Sequence, residues 1–441
     1  MPNRYPGPES RALLEELSSY VVVDPHPFAV DLAASRGMQL ATVEGRRITD
    51  WTGLYGSKLI GYNHPRMFEP AYLERLGYAS ATKLPNPDFL TPECLDYYRL
   101  LRSIAPRCMP NEHLEVYAVN SGAEAVENMM KYFMNLHQRK MQLQGKPYAV
   151  SRFLYFDQAF HGRTVFALNV TGVDHDPIIT RDFHGVAPGN LKVPFPAWNS
   201  SHPEAANRAI LKSSLTTIEQ LLDRYHDEIA GVILEPIQGA GGHRIAAPEF
   251  YTELSRLCHE YDVYWGLDEV QTAGGQCGEI FAIDAFNVPY PPRAVAAAKK
   301  LANGVVFMHE PMEDVGVLDS TWGGTLSDMV RFVQEWSIVR EEELIEQVPR
   351  KAAHLVAGLQ RLESRWPGVV ENVRGLGLYQ GFSLKEADRK TKLIDDALEQ
   401  EDLLLLGAGP GQIRLRPPLD VTESDIDHLL SALERLLERQ G

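Results

Sequence analysis

The chain has 441 residues, of which 44% are hydrophobic and 23% are charged, so it is long enough for one large domain and a second, smaller one. Its formal net charge of −16 argues against binding to nucleic acid or to an anionic membrane surface, because both need a basic face. The sequence has no signal peptide, no apolar run of membrane-spanning length, too few scattered cysteines for a disulfide framework and no metal-ligand spacing, so we expect a cytoplasmic protein with reduced thiols and no metal.

The N-terminal region shows turn and loop signals before the first long run of regular structure. Residues 45–47 read as a turn, and residues 61–65 read as a loop. We predict that residues 1–65 join a small C-terminal domain before the chain enters a large domain at residues 66–330.

Short apolar runs alternate with helical periodicity through the middle of the chain, which predicts a mostly parallel sheet wrapped in helices. Residues 114–119 read as a strand, and a turn of small residues at 120–125 leads from it into a helix. Such a turn presents free backbone N–H groups and the positive end of the helix dipole to a phosphate. A simple helix cap by Ser121 would give the same pattern.

A second strand, at 153–156, leads into Phe160-His161-Gly162-Arg163. An aromatic ring at the edge of a loop can stack on a planar cofactor, and an arginine can bind a carboxylate through two parallel hydrogen bonds. Core packing and a surface salt bridge are the alternatives.

One strand–helix–strand crossover is clear. Residues 230–234 read as a strand, a glycine-rich loop follows from Glu235, and the strand at 263–267 ends at Asp268. The helix between them has one apolar face, formed by Phe250, Leu254, Leu257, Cys258 and Tyr261. Because α/β sheets bind ligands at the carboxyl ends of their strands, we expect the Asp268 carboxylate to reach a ligand site.

Lys299 follows an alanine-rich run at 294–298 and comes 31 residues after Asp268 (299 − 268). An aspartate and a lysine placed in this way suit pyridoxal phosphate. This cofactor needs an amine that forms a Schiff base with its aldehyde and a carboxylate that keeps its ring nitrogen protonated. The adjacent Lys300 is a weaker candidate for the same role.

The pattern breaks at Thr321-Trp322-Gly323-Gly324-Thr325, which indicates a hinge into a second domain. Beyond it we predict helices at 328–346, 352–362 and 389–399 and from 423, with strands within 369–384 and at 412–415. Local runs of this kind indicate a small α+β domain, which we place at residues 331–441.

Together these motifs resemble the class III pyridoxal-phosphate-dependent aminotransferases of fold type I, over nearly the whole chain. The resemblance implies an α/β fold, with a large domain built on a mostly parallel central sheet and a smaller α+β domain. Within the family the chain is most similar to the lysine 6-aminotransferase subgroup. The motifs are those at 45–47, 62–65, 120–123, 160–163, 235–238, 268–272, 299–300, 320–324, 373–377 and 414–418.

The resemblance implies roles for individual residues. Lys299 would form the Schiff base with pyridoxal phosphate, and Asp268 would pair with its ring nitrogen. Thr321 would reach the phosphate of the neighbouring subunit, so the protein would be a homodimer with shared sites. The implied cofactor-binding residues are Ser121, Gly122, Ala123, Phe160, His161, Asp268, Gln271, Lys299 and Thr321.

Arg163 and Arg416 resemble the family's two substrate-binding arginines, for the α-carboxylate of lysine and for that of 2-oxoglutarate respectively. Many relatives carry a glutamate that masks the second arginine while the donor's distal end is bound, and here that position is Ala240. An unmasked buried arginine beside an apolar donor chain is unfavourable. Either another acid takes over the role, or the donor carries a second anionic group.

The expected function is transamination by a ping-pong mechanism. A primary ω-amine of an amino acid, the 6-amino group of L-lysine first, would pass to an oxo acid such as 2-oxoglutarate, so the partners are small-molecule donors and acceptors. The alternatives are another class III ω-amino acid transaminase, a pyridoxal-phosphate-dependent amino acid racemase or aminomutase, and a binding subunit without activity.

Overall fold

The computed structural model describes residues 4–22, 24–110, 112–146, 151–180, 182–183, 189–314 and 316–440. The helices in these ranges are α1 (Pro8–Ser18), α2 (Gly53–Gly56), α3 (Pro70–Ala81), α4 (Pro92–Ser103), α5 (Gly122–Leu143), α6 (Val165–Leu168), α7 (Glu204–Tyr225), α8 (Pro248–Glu260), α9 (Leu326–Glu341), α10 (Val348–Arg365), α11 (Ala387–Glu401) and α12 (Glu423–Gln440). The strands are β1 (Val30–Arg36), β2 (Gln39–Thr42), β3 (Arg47–Asp50), β4 (Glu115–Val119), β5 (Arg152–Phe156), β6 (Leu191–Val193), β7 (Ile229–Leu234), β8 (Ile237–Gln238), β9 (Arg244–Ile245), β10 (Trp265–Asp268), β11 (Ala294–Ala297), β12 (Gly304–Met308), β13 (Val370–Leu376), β14 (Tyr379–Leu384), β15 (Leu403–Leu404), β16 (Leu406–Ala408) and β17 (Gln412–Leu415).

Seven strands form the central sheet, in the order β4-β12-β11-β10-β7-β5-β6. Strand β12 runs antiparallel to β4 and β11, and the other neighbouring pairs are parallel. Strands β7 and β10, joined through α8, form the predicted crossover, and every residue of both strands is buried. The α/β fold class with a mostly parallel sheet is therefore confirmed.

Helix α5 lies close against this sheet because two strands carry glycine beneath it. A Cβ atom at Gly231 of β7 or at Gly266 of β10 would lie 2.5 Å from ring atoms of Phe133. Only glycine allows the helix to approach this closely. Since α5 follows β4 directly, its N-terminus is held at the carboxyl ends of the parallel strands.

Two smaller sheets lie outside the central one. Strands β13, β14, β17 and β16 form an antiparallel sheet, and α10 packs against β13. Strand β3 pairs in parallel with β15, so the N-terminal segment shares a four-stranded sheet with the C-terminal part of the chain. Helix α9 crosses the boundary predicted at residue 330 and packs against α3 and α4. We therefore propose that the small domain begins in the connection between α9 and α10, at residues 342–347.

Several short elements were not predicted. Strands β8 and β9 form a hairpin inside the glycine-rich loop after Glu235. Strand β15 lies within the leucine run at 403–406, and β16 begins at the last leucine of this run. The four residues of α2 form a left-handed turn, with φ angles of 53° at Gly53, 50° at Leu54, 60° at Tyr55 and 76° at Gly56.

No helix in the described part of the chain is both long enough and apolar enough to cross a membrane. All four cysteines are free thiols.

Candidate active site

A cavity of about 820 Å³ opens at the carboxyl ends of β4, β5, β7, β10 and β11, and residues of α11, β16 and β17 close its other side. Most of the side chains predicted to bind cofactor or substrate lie in its wall. They are Ser121, Gly122, Ala123, Phe160, His161, Arg163, Asp268, Gln271 and Lys299. Thr321 and Arg416 are not part of the wall.

Asp268 ends strand β10 and is buried in the cavity wall. Its Oδ2 atom lies 2.8 Å from His161 Nδ1, and its Oδ1 atom accepts a hydrogen bond of 2.9 Å from the backbone N–H of Val270. Burial opposes a charged imidazole, but the hydrogen bond and the charge of Asp268 outweigh it and raise the pKa of His161. The Nε2 atom of His161 is buried without a hydrogen-bond partner among the described residues. The pair therefore offers a fixed carboxylate and an unsatisfied polar atom at the cavity wall.

Lys299 and Lys300 reach different parts of the protein. Lys299 lines the cavity, and its backbone has a φ of 52°. Burial lowers the pKa of Lys299 to about 8, although the nearby charge of Asp268 acts in the opposite direction. Lys300 is buried outside the cavity and donates to the backbone oxygens of Gln271 and Gly56. Of the two lysines, only Lys299 is placed to react with a bound molecule.

The N-terminus of α5 forms one end of the cavity. Ser121 is the N-cap, and its Oγ accepts a hydrogen bond of 3.2 Å from the backbone N–H of Glu124. A Cβ atom at Gly122 would lie 2.6 Å from Val270 Cγ1, and one at Gly162 would lie 2.7 Å from Ala123 Cβ. Small residues thus leave room beside the first N–H groups of the helix, where the helix dipole favours an anion such as phosphate.

Phe160 lines the cavity, and the buried carboxylate of Glu235 holds its backbone in place. Glu235 Oε1 accepts a hydrogen bond of 2.8 Å from the N–H of Phe160, and Oε2 accepts one of 3.3 Å from the N–H of Gly239. Burial raises the pKa of Glu235 to about 7, although His161 acts in the opposite direction. Glu235 therefore links the loops after β5 and β7 and can hold a proton near neutral pH.

Gln271 connects the cavity wall with the layer of side chains behind it. Its Oε1 accepts hydrogen bonds from Tyr379 Oη at 2.5 Å and Arg416 Nη2 at 3.2 Å, and its Nε2 donates to the backbone oxygen of Tyr55 at 3.2 Å. The Arg416 guanidinium is buried and lies 3.8 Å from the centre of the Tyr379 ring. Arg416 thus supports Gln271 from behind.

Arg416, predicted to bind the oxo acid, is buried and is not part of the cavity wall. Arg416 lies past the end of β17, where its backbone N–H donates to Trp51 O at 2.9 Å and anchors it behind the cavity. Arg414, two residues earlier, lines the cavity instead. Its Nε donates to Gly407 O at 3.0 Å, and burial lowers its pKa to about 9.

Arg414 forms no ion pair with any carboxylate in the described ranges, and Ala240, the position at which the resemblance implied a masking glutamate, also lines the cavity. Arg163 is exposed in the cavity wall. Lys390 lines the side near Arg414 and donates to Gly409 O at 2.6 Å. The cavity wall therefore carries Arg163, Lys390 and Arg414 in addition to Lys299.

Thr321 is exposed and lies outside the cavity wall. The neighbouring Ser320 accepts a hydrogen bond of 3.2 Å from Asn120 Nδ2 of the same chain, so this segment lies beside the N-terminus of α5. The role of Thr321 at the phosphate of a neighbouring subunit stays a prediction. Within the part of the chain that the structure describes, no group of three or more His, Cys, Asp or Glu side chains is placed to hold a metal ion.

Sequence reasoning missed four residues of the site: Tyr55, Glu235 as a buried acid, Lys390 and Arg414. Glu235 carried a signal, because it directly follows a buried strand that ends at the ligand crevice. Arg414 belongs to the same sequence motif as Arg416, at residues 414–418. Tyr55 and Lys390 come from the N-terminal segment and α11, and nothing in the local sequence connects them with the sheet.

Comparison with known families agrees with this geometry. The family model for Aminotransferase class-III matches residues 20–437. The chain is 30% identical to the L-lysine-epsilon aminotransferase of Amycolatopsis lactamdurans, over 99% of this chain and 97% of that protein. It is also 30% identical to the L-lysine-epsilon aminotransferase of Streptomyces clavuligerus, over 95% of this chain and 92% of that protein.

A solved structure gives the same result. The lysine aminotransferase from M. tuberculosis, solved in its internal aldimine form, superimposes with a TM-score of 0.90 at 29% sequence identity. The match covers 97% of this chain and 99% of that one. The fold is thus shared over nearly the whole of both chains.

Proposed function

From the premise that this chain belongs to the class III aminotransferases, we propose that it binds pyridoxal phosphate and transfers the ω-amino group of an amino acid to an oxo acid such as 2-oxoglutarate. L-Lysine is the first candidate donor, because relatives that cover nearly the whole chain act on lysine. The observation that carries the proposal is that Lys299, the Asp268–His161 pair and the N-terminus of α5 line one cavity.

The residues of the cavity fit this cofactor. Asp268, buried and held by His161, would keep the ring nitrogen protonated, and the first N–H groups of α5 would bind the phosphate. Phe160 would stack on the ring, and Gln271 would contact its phenolic oxygen. When bound, pyridoxal phosphate supplies an aldehyde that takes up the amino group and a ring that accepts electrons.

Lys299 would supply both the covalent attachment and the proton transfer. A pKa of about 8 leaves about a tenth of the amine uncharged at pH 7, far more than the ordinary lysine pKa of 10.5 would, and only the uncharged Nζ has the lone pair that attacks a carbonyl. After the donor amine displaces it, the same Nζ would take a proton from the donor carbon as a general base and return it as a general acid. The charge of Asp268 keeps this pKa from falling further.

Two arginines of the cavity wall would bind the carboxylates of the substrates. Arg163 would bind the α-carboxylate of the donor, and Arg414 would bind the α-carboxylate of the oxo acid, in place of Arg416. A planar guanidinium binds a carboxylate through two parallel hydrogen bonds, which fixes the orientation of the substrate. We also propose a cytoplasmic homodimer in which Thr321 reaches the phosphate held by the partner subunit.

A donor with a second anionic group is the main alternative. Ala240 offers no charge, Arg414 forms no ion pair within the described ranges, and Lys390 adds a further cation to the same wall. A donor whose reacting carbon carries a carboxylate would neutralise these charges, whereas the terminal CH2 of lysine would not. A racemase or aminomutase would use the same lysine and aspartate without net transfer to an oxo acid.

The test is a half-reaction screen. Protein loaded with pyridoxal phosphate is mixed separately with lysine, ornithine, 4-aminobutyrate, β-alanine, glutamate and alanine, and the oxo product is measured by mass spectrometry. Lys299→Ala is the control. Product from lysine that is absent in the control supports the proposal, whereas product from glutamate alone favours the alternative. Racemised or rearranged amino acid with no oxo product would overturn transamination.

A further inference from the structure

The buried Lys300 has no role in the chemistry proposed above. Its side chain is 2% exposed, and its Nζ donates to Gln271 O at 2.5 Å and to Gly56 O at 3.3 Å. No carboxylate in the described ranges forms an ion pair with it, and burial lowers the pKa of Lys300 to about 7. A buried amine costs stability unless its hydrogen bonds are made, so both backbone acceptors matter.

One of these acceptors belongs to a strained turn. Gly53, Leu54, Tyr55 and Gly56 all have φ between 50° and 76°, and Leu54 and Tyr55 have side chains that disfavour this region. Residues held in such conformations persist only where the surrounding structure fixes them. The turn matters for the site because Tyr55 lines the cavity.

The other acceptor belongs to the cofactor side of the same cavity. Lys300 binds the backbone oxygen of Gln271, and the side chain of Gln271 in turn donates to the backbone oxygen of Tyr55 at 3.2 Å. The bonds thus close a ring through Lys300, Gln271, Tyr55 and Gly56. This ring connects the residue beside Lys299 with two residues that line the cavity, Tyr55 and Gln271.

The path of the lysine stem is also specific. Gly274 has a φ of 117°, and a Cβ atom there would lie 2.7 Å from Lys300 Cε. The long, thin side chain passes over this glycine to reach the two carbonyl groups. A shorter polar residue would not span the distance between the sequence neighbour of Lys299 and the turn.

We infer that Lys300 is a positioning residue that holds the left-handed turn Gly53–Gly56, and with it Tyr55, against the Gln271 segment on the cavity wall. The expected effect of Lys300 on substrate binding rests on the proposed function. The structural effect on the turn does not depend on which donor the enzyme uses.

The test is hydrogen exchange in Lys300→Met, measured with full-length protein before and after loading with pyridoxal phosphate. The probes are the amides of Gly56, Ser57 and Lys58, which donate to Thr52 O and Gly53 O within the turn. Loss of the buried hydrogen bonds should speed their exchange about tenfold.

Lys351→Met is the matched control. Lys351 is a second buried lysine, with 4% of its surface exposed. Its Nζ donates to the backbone oxygen of Leu419 at 2.9 Å, and it does not line the cavity. We expect this variant to lose stability without faster exchange at residues 56–58. Unchanged exchange at these amides in Lys300→Met, or equal acceleration in both variants, would overturn the inference. If Lys300→Met does not fold, Lys300→Gln, which keeps an N–H donor on a shorter stem, is judged by the same comparison.

Kinetics supply the second readout. Once a donor is known, Lys300→Met should raise its KM about tenfold and change kcat much less, because Tyr55 lines the cavity and Lys299 is untouched. An equal loss of kcat with unchanged KM would contradict the positioning role. Failure to find any donor would count against the proposed function and leave the exchange result intact.

Discussion

The imidazole Nδ1 of His161 lies 2.8 Å from the Oδ2 atom of Asp268, and both side chains are buried at the carboxyl ends of the central strands. The two residues are 107 positions apart in the chain, and His161 lies in the loop after β5. Among the described residues, the other hydrogen bond to this carboxylate comes from the backbone N–H of Val270. His161 therefore fixes the orientation of a carboxylate that the proposed cofactor needs.

We predict that His161→Leu weakens the binding of pyridoxal phosphate. Hydrogen bonds to charged groups contribute about 1.5–3 kcal/mol, so the dissociation constant should rise about 10- to 100-fold. Fluorescence titration of the cofactor-free protein measures this, and His161→Gln, which keeps an N–H donor, should recover part of the loss. An unchanged constant in a folded His161→Leu variant would show that Asp268 does not depend on this partner.

The two arginines at the end of β17 should differ in their effect on the acceptor. Arg414→Gln should raise the KM for 2-oxoglutarate about 100-fold, because it removes a charge-assisted pair of hydrogen bonds inside the cavity. Arg416→Gln, the control, should raise it less than about tenfold, because Arg416 contacts Gln271 and Tyr379 rather than the cavity. A larger effect from Arg416→Gln would reverse the assignment.

Much of the large domain followed from the sequence because local patterns there agree with burial. All six residues of β7 and all four of β10 are buried, and helix α8 buries the predicted Phe250, Leu254, Leu257 and Cys258. An apolar run and a 3.6-residue period are local signals, so a single segment suffices to identify them. The sequence therefore predicted a mostly parallel sheet, but not the order of its seven strands.

The rest depends on contacts that the sequence does not show. Arg414 and Arg416 are two residues apart, so strand periodicity alone does not separate them. The structure separates them because Arg414 lines the cavity, whereas the Arg416 guanidinium is buried against the Tyr379 ring. Leucine and tyrosine are not residue types that signal a left-handed turn, so nothing in the sequence predicts positive φ at Leu54 and Tyr55. Only the glycines on either side of them carry that signal. The leucine run at 403–406 shows no alternation, so β15 and β16 had no recognisable period.

Replacement of Gly162 by alanine should destabilise the protein more than the same replacement at a glycine with free space around it. The φ of Gly162 is 132°, and a Cβ atom there would lie 2.7 Å from Ala123 Cβ, at the proposed phosphate end of the cavity. Gly162→Ala should therefore cost about 2–4 kcal/mol in the free energy of unfolding, as strain and overpacking add. Gly45→Ala is the matched control, because Gly45 has a φ of 81° with nothing within 4 Å and should cost only about 1 kcal/mol. Urea unfolding measures both, and equal losses would show that the contact with Ala123 contributes nothing.

The pH dependence of cofactor attachment should report the environment of Lys299. Burial lowers its pKa from 10.5 to about 8, so the folded protein holds the uncharged amine above pH 8 and the charged form below it. Because only the uncharged Nζ attacks an aldehyde, the rate at which added pyridoxal phosphate becomes covalently bound should rise with pH and level off above about 8.

The pH at which the attachment rate reaches half of its plateau is the midpoint of this dependence. Asp268→Asn tests in which direction the charge of Asp268 moves this midpoint. The negative charge of Asp268 raises the pKa of Lys299, so its removal should move the midpoint to lower pH, even as weaker binding slows the reaction at every pH. Stopped-flow absorbance from about pH 6 to pH 10 measures both proteins, with Lys299→Ala as the control that shows no covalent phase. A wild-type midpoint near 10, or a shift to higher pH in Asp268→Asn, would mean that Lys299 is not the buried amine that reacts in this cavity.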